Sequence, residues 1–261
     1  MATLALLDAP PFGVTDSLPW LSGSSRFPAT RVSVLERLRS LEPEVRSAAF
    51  GDLVTGYWKP VYKYLRLKWR QDEHDAADTT QGFLAAAFEK SYFEGFDPAR
   101  ARFRTFLRVC LDRFVMNQQA AQRAERRGGG AGTVPLDFPG VEGEVARLSS
   151  DQPADADAFF RHELVRELFT RCVADVRDEC ERGGRRTAFR VFERYDLEQP
   201  DGVTYADLAR EFAIPATQVT NYLAAVRRMF RGRVLEQLRA LCGSDEEYRA
   251  EARELLGLDV A

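Results

Sequence analysis

Along most of this chain apolar residues recur three and four positions apart, the repeat of a helix with one buried face. Trp58, Val61, Tyr62, Leu65 and Trp69 form the first such stripe, and two tryptophans on one face mark a core. The stretch DAADTTQGFLAAAFEK, from Asp75 to Lys90, continues the pattern. Ala76, Thr80, Phe83, Leu84, Ala87 and Phe88 fall on one side, which leaves Asp75, Asp78, Thr79, Gln81 and Gly82 facing outward. After the turn-like GFDPAR, a third stripe places Phe103, Phe106, Leu107, Cys110, Leu111, Phe114 and Val115 on one face opposite an arginine-rich one. No segment alternates with the period of a strand for long, so the pattern predicts an all-α protein.

Breaks in the pattern divide the chain. Residues 1–30, rich in Pro, Ser and Gly (DAPPFG, LPWLSGSSRFP), read as a mobile N-terminal arm, and residues 31–127 as a first helical domain. The run RRGGGAGTVP then interrupts the helices, because glycine costs about 1 kcal/mol in a helix interior. Residues 128–156 are therefore expected to be a flexible linker. Helical spacing resumes near Ala158, giving a second domain over 157–240 and a helical C-terminal extension over 241–261.

Within the second domain, TYADLAREFAIPATQVTNYLAAVRRMF carries the signals of a helix-turn-helix. Thr204 is an N-cap with Asp207 three residues on, and Pro215 suits the start of the next helix, whose buried stripe is Val219, Leu223, Val226 and Phe230. Gln218, Thr220, Asn221, Tyr222, Arg227 and Arg228 would then be exposed, mixing base-reading amides with phosphate-binding guanidinium groups. An ordinary αα-hairpin within a bundle is the plainer alternative.

Composition narrows the chemistry. The 261 residues carry a formal charge of −3, but Arg100 to Arg127 holds eight arginines against Asp112 and Glu125, a local basic patch of the kind nucleic acid attracts. Four cysteines without a CxxC pair and only two histidines argue against a disulfide framework, a metal centre or a histidine-based triad. The expected protein is not an enzyme and needs no cofactor. Without a signal-peptide layout or an apolar run of membrane-spanning length, a cytoplasmic location away from membranes is expected.

Taken together, VYKYLRLKW, DAADTTQGFL and FDPARARFRTFLRVCLDRF resemble the promoter-melting domain of bacterial RNA polymerase sigma factors. TYADLAREFAIPATQVTNYLAAVRRMF resembles their C-terminal promoter-reading domain. Two such domains alone are similar to the extracytoplasmic-function (ECF) group, and to a branch with an FP-x-TR segment (Phe27 to Arg31), a glycine run and a C-terminal extension. The resemblance spans roughly residues 27–255.

That resemblance implies a transcription-initiation factor whose partners are core RNA polymerase and promoter DNA. Asp75, Asp78 and Gln81 would contact the clamp helices of the polymerase largest subunit. The segment Asp97 to Thr105, with Arg100, Arg102, Phe103 and Arg104, would engage the promoter hexamer nearest the start site and capture an unstacked base. Arg113, Arg123, Arg126 and Arg127 are further DNA candidates. Members of the group commonly have acids where Ala77 and Gly82 stand, a tryptophan at Phe106 and an aspartate at Asn117. The two missing acids raise the expectation that phosphorylation of Thr79, or less favourably Thr80, restores negative charge, with a Ser/Thr protein kinase as partner. An anti-sigma factor is the alternative regulator. A helix-turn-helix regulator acting without polymerase and a helical adaptor are the rival functions.

Overall fold

The computed structural model describes residues 34–124, 136, 138, 141, 145, 155–199 and 202–260. The expected arm at 1–30, the FP-x-TR segment, and Arg126 and Arg127 lie outside them, as does the side chain of Arg123. Every regular element among the described residues is helical. None of these helices is long and apolar enough to cross a membrane.

The described residues form two compact units, one within Ala29–Glu167 and Arg239–Tyr248, the other within Leu168–Leu238 and Arg249–Ala261. In the first unit, α1 (Val34–Leu38) packs on α2 (Pro43–Lys68), which packs on α3 (Glu73–Glu89). Asp72 caps α3 by accepting from the Asp75 N–H at 2.8 Å. Ser91 then turns the chain at φ 52°, a left-handed conformation uncommon for a residue with a Cβ, into a 3-10 turn over Tyr92–Gly95. α4 (Phe103–Ala124) follows, and the first turns of α5 (Ala156–Arg182) complete the unit.

Polar ties set the position of α4. Asp112 accepts from Tyr64 Oη at 3.1 Å, Trp69 Nε1 at 3.0 Å and Arg108 Nη1 at 3.0 Å, and Arg108 Nε donates to Asp157 at 2.7 Å. Burial and then the Asp112 charge push the Tyr64 phenol up to about 12, so it stays a donor.

The segment expected to be a linker is packed in part. Phe138, Val141 and Val145 are buried in the first unit's core, with the Phe138 ring 5.5 Å from Trp58 and 5.0 Å from Tyr62. Their spacing is itself helical, and removing their apolar area from water favours the packed positions. α5 begins at Ala156 rather than 158, because Asp155 Oδ1 accepts from the Asp157 and Ala158 N–H groups and starts the helix there.

In the second unit, α5 ends at Arg182, and Gly184, at φ 66°, supplies the left-handed residue that closes it. α6 (Arg186–Phe192) continues into a π turn over Glu193–Leu197. α7 (Tyr205–Glu211) and α8 (Ala216–Ala240) are separated by residues 212–215, and the Thr204–Asp207 capping box is present in full. Val219, Leu223, Val226 and Phe230 are all buried, with Phe230 against Phe169 and Phe192. α9 (Asp245–Leu256) is the last helix among the described residues.

Candidate nucleic-acid interface

The stripe on α4 divides into two rows. Phe103, Leu107, Leu111 and Val115 are fully buried, while Phe106, Cys110 and Phe114 on the adjoining row are half-buried. The second row forms one wall of a groove of about 690 Å³. Its other walls are Lys90 at the end of α3 and Tyr92 and Gly95 on the 3-10 turn, while Arg113, Asn117 and Gln118 on α4 complete the lining. Aromatic surface, two cations and two amides thus converge on one open cleft.

Each wall has a local cause. The left-handed Ser91 reverses the chain so that Tyr92 returns beside α4. Gly82 faces Phe114, whose Cζ would lie 3.6 Å from a Cβ there, an ordinary van der Waals distance. Phe83 meets the same ring edge-on at 5.7 Å. Burial pushes the Cys110 thiol above its ordinary value against the opposing charge of Arg113, so a neutral thiol lines the groove.

The outward face of α3 is narrower than the sequence pattern suggests. Asp75 and Asp78 are exposed and Gln81 is half-exposed, as expected. Thr79 is not: it is 3% exposed, and its hydroxyl lies 3.4 Å from Gln118 Oε1. Thr80 is fully buried and donates to the Ala76 carbonyl at 2.7 Å. α3 packs against α4 as well as α2, which widens its buried arc to include Thr79. Neither hydroxyl is open to a kinase in this fold, which corrects the expected modification sites.

The arginines separate in the same way. Arg100 is exposed and pairs with Asp97 at 3.3 Å, and Arg102 is half-exposed. Arg104 is only 6% exposed, because it shares the buried face of α4 with Phe103 and Leu107, so it is not a phosphate ligand in this arrangement. Arg113 is exposed at the groove.

On α8, Thr220, Asn221 and Arg228 are exposed, and Gln218 and Tyr222 are half-exposed. Arg227 is committed elsewhere. Its Nε and Nη2 donate to the two oxygens of buried Asp196, at 2.9 and 2.8 Å, and its guanidinium lies over the Tyr195 ring. The π turn carries Asp196 inward and makes Arg227 a structural residue rather than a DNA-reading one.

Lys90, Tyr92, Gly95 and Cys110 were not singled out from the sequence as a site. The only signal for them is the i, i+4 row Phe106–Cys110–Phe114, hidden inside what reads as a single apolar stripe. Comparison with family models, curated proteins and solved structures finds no match.

Proposed function

We propose that this protein is a sigma factor of the extracytoplasmic-function type, which binds core RNA polymerase, directs it to promoters and holds one strand of the opened duplex. The observation that carries this reading is the groove beside α4, with aromatic and apolar walls from Tyr92, Phe106 and Phe114 and cations from Lys90 and Arg113. An unstacked base needs a π-face or apolar wall, and the phosphates on either side of it need positive charge. Promoter opening follows from differential binding: capturing bases that exist only in the melted state offsets a few kcal/mol of unstacking. No bond is made or broken by the protein in this role.

The exposed acids of α3 support the polymerase contact. Asp75 and Asp78 project from the first turns of a capped helix, close to the partly exposed Gln81. α7 and α8 would act as a helix-turn-helix, with Gln218, Asn221 and Arg228 at the upstream promoter element. A regulator acting without polymerase would use the same two helices but would leave the groove unexplained.

The test is a fluorescence titration of core RNA polymerase into the labelled full chain. The double change Asp75→Arg with Asp78→Arg should weaken binding at least about tenfold while helical content stays as in the wild type. Equal affinity for both proteins, or no binding by either, would overturn the reading.

A further inference from the structure

The C-terminal segment Arg239–Tyr248 belongs to the first unit, with Cys242 and Tyr248 buried there. Within it, Glu247 is 6% exposed and both carboxylate oxygens are used. Oε1 accepts from the N–H of Phe103 at 2.5 Å, and Oε2 accepts from the N–H of Gly243 at 2.7 Å. Phe103 is the first residue of α4, whose first turn contains no acid of its own and follows Arg102, whose side chain has no acceptor to offer. The helix start is therefore capped by a carboxylate 144 residues away in the chain, where negative charge is favoured.

Gly243 makes a second contact with the same region. A Cβ at this position would lie 2.9 Å from Phe96 Cε1 and 3.2 Å from Leu35 Cδ1, so only glycine permits this approach without a shift. Phe96 in turn packs on Phe103 at 5.2 Å and on Phe106 at 5.4 Å, and Phe106 is a wall of the groove. One bonded end and one packed edge of the C-terminal segment thus bear on the same aromatic trio.

We infer that Glu247 is a positioning residue for the groove: the C-terminal segment sets the start of α4 and the Phe96 ring, and through them the Phe106 wall that receives an unstacked nucleobase. This rests on the reading of the groove given above. The sign follows from the geometry, since the groove is open while the segment is docked. The segment is part of the binding-competent form rather than a cover over it.

The test uses the full chain and fluorescein-labelled single-stranded DNA oligonucleotides of mixed sequence, each intact or carrying one abasic position. Stacking of one base on an aromatic side chain corresponds to roughly tenfold in affinity, so the wild type should prefer an intact strand to its best abasic counterpart by about that factor. Glu247→Gln keeps the volume but presents an amide NH₂ to one of the two N–H groups. Gly243→Ala keeps the Glu247 carboxylate but places a Cβ 2.9 Å from Phe96 Cε1 and 3.3 Å from Glu247 Oε2, so its main displacement falls on Phe96. In both variants the preference should fall toward unity, while the dependence of affinity on salt stays that of the wild type, because no phosphate-binding cation is touched. A general loss of stability would lower binding to intact and abasic strands alike, and circular dichroism checks that each variant is folded. A wild-type preference retained in both folded variants overturns the positioning role, as does tighter binding by either one. A wild type that does not distinguish intact from abasic strands sinks the groove reading itself, and this inference with it.

Discussion

Lys63 Nζ lies 2.7 Å from Glu163 Oε2 with the two side chains 2% and 0% exposed, so an ion pair between α2 and α5 sits in the first unit's core. Burial alone would raise the Glu163 pKa. The His162 ring nitrogen 3.1 Å from Oε1, the Lys63 charge and Arg166 outweigh it and hold the carboxyl at about 2. Removing Lys63 leaves the buried Glu163 carboxylate without its closest cation, with only His162 and Arg166 still beside it. Lys63→Met is expected to destabilise the protein by roughly 3–5 kcal/mol, and adding Glu163→Leu should recover most of that. Chemical denaturation of the single and double variants checks both numbers.

The same carboxylate gives the protein an acid-sensitive step. A folded-state value of about 2 against an ordinary value of 4.5 means that its contribution is complete above about pH 4.5 and disappears as pH falls toward 2. Wild-type stability should therefore drop across that window more steeply than that of the Lys63→Met, Glu163→Leu double variant. Parallel pH profiles for the two proteins would contradict the assignment.

Within the groove, aromatic and cationic contributions should separate. Phe106→Ala is expected to weaken single-stranded DNA binding by roughly 1–3 kcal/mol, with the slope of affinity against salt unchanged. Arg113→Ala should lower that slope by about one and weaken all sequences alike. Fluorescence anisotropy over a series of salt concentrations measures both effects.

Cys110 is half-buried at the groove, whereas Cys172, Cys180 and Cys242 are buried. In the native protein a maleimide should therefore modify Cys110 first, slowly at neutral pH because the thiol is held above its ordinary value. Saturating single-stranded DNA should slow that modification several-fold, as read by mass spectrometry of the labelled peptide. Labelling unaffected by DNA would place the strand elsewhere.

On α8, Asn221→Ala is expected to relax preference at one base for about 1–3 kcal/mol, whereas Arg228→Ala should weaken binding to every duplex equally. Arg227→Ala differs from both. It leaves Asp196 buried without its bidentate partner, so the measured loss should be in stability, on the order of 3 kcal/mol. Duplex binding and thermal melts of the three variants separate these outcomes.

The helices and most of the core were legible because the apolar spacing of Trp58 to Leu65, of Phe103 to Val115 and of Val219 to Phe230 is dictated by burial on one face. The Thr204–Asp207 capping box was legible for a similarly local reason. Thr79 was misplaced because a helix flanked by two others buries a wider arc than a single stripe implies. Phe138, Val141 and Val145 were hidden by the glycines preceding them, whose local cost says nothing about an anchor farther along the chain. The Glu247–Phe103 bond and the Arg227–Asp196 pair join residues far apart in sequence, and no periodicity reports such partners.

The central claim is most directly tested by mapping RNA start sites on host genomic DNA with core RNA polymerase alone and with the purified chain added. Discrete starts that require the chain, and that disappear with the Asp75→Arg, Asp78→Arg variant, are the predicted result. The same scattered starts with and without the chain would contradict it.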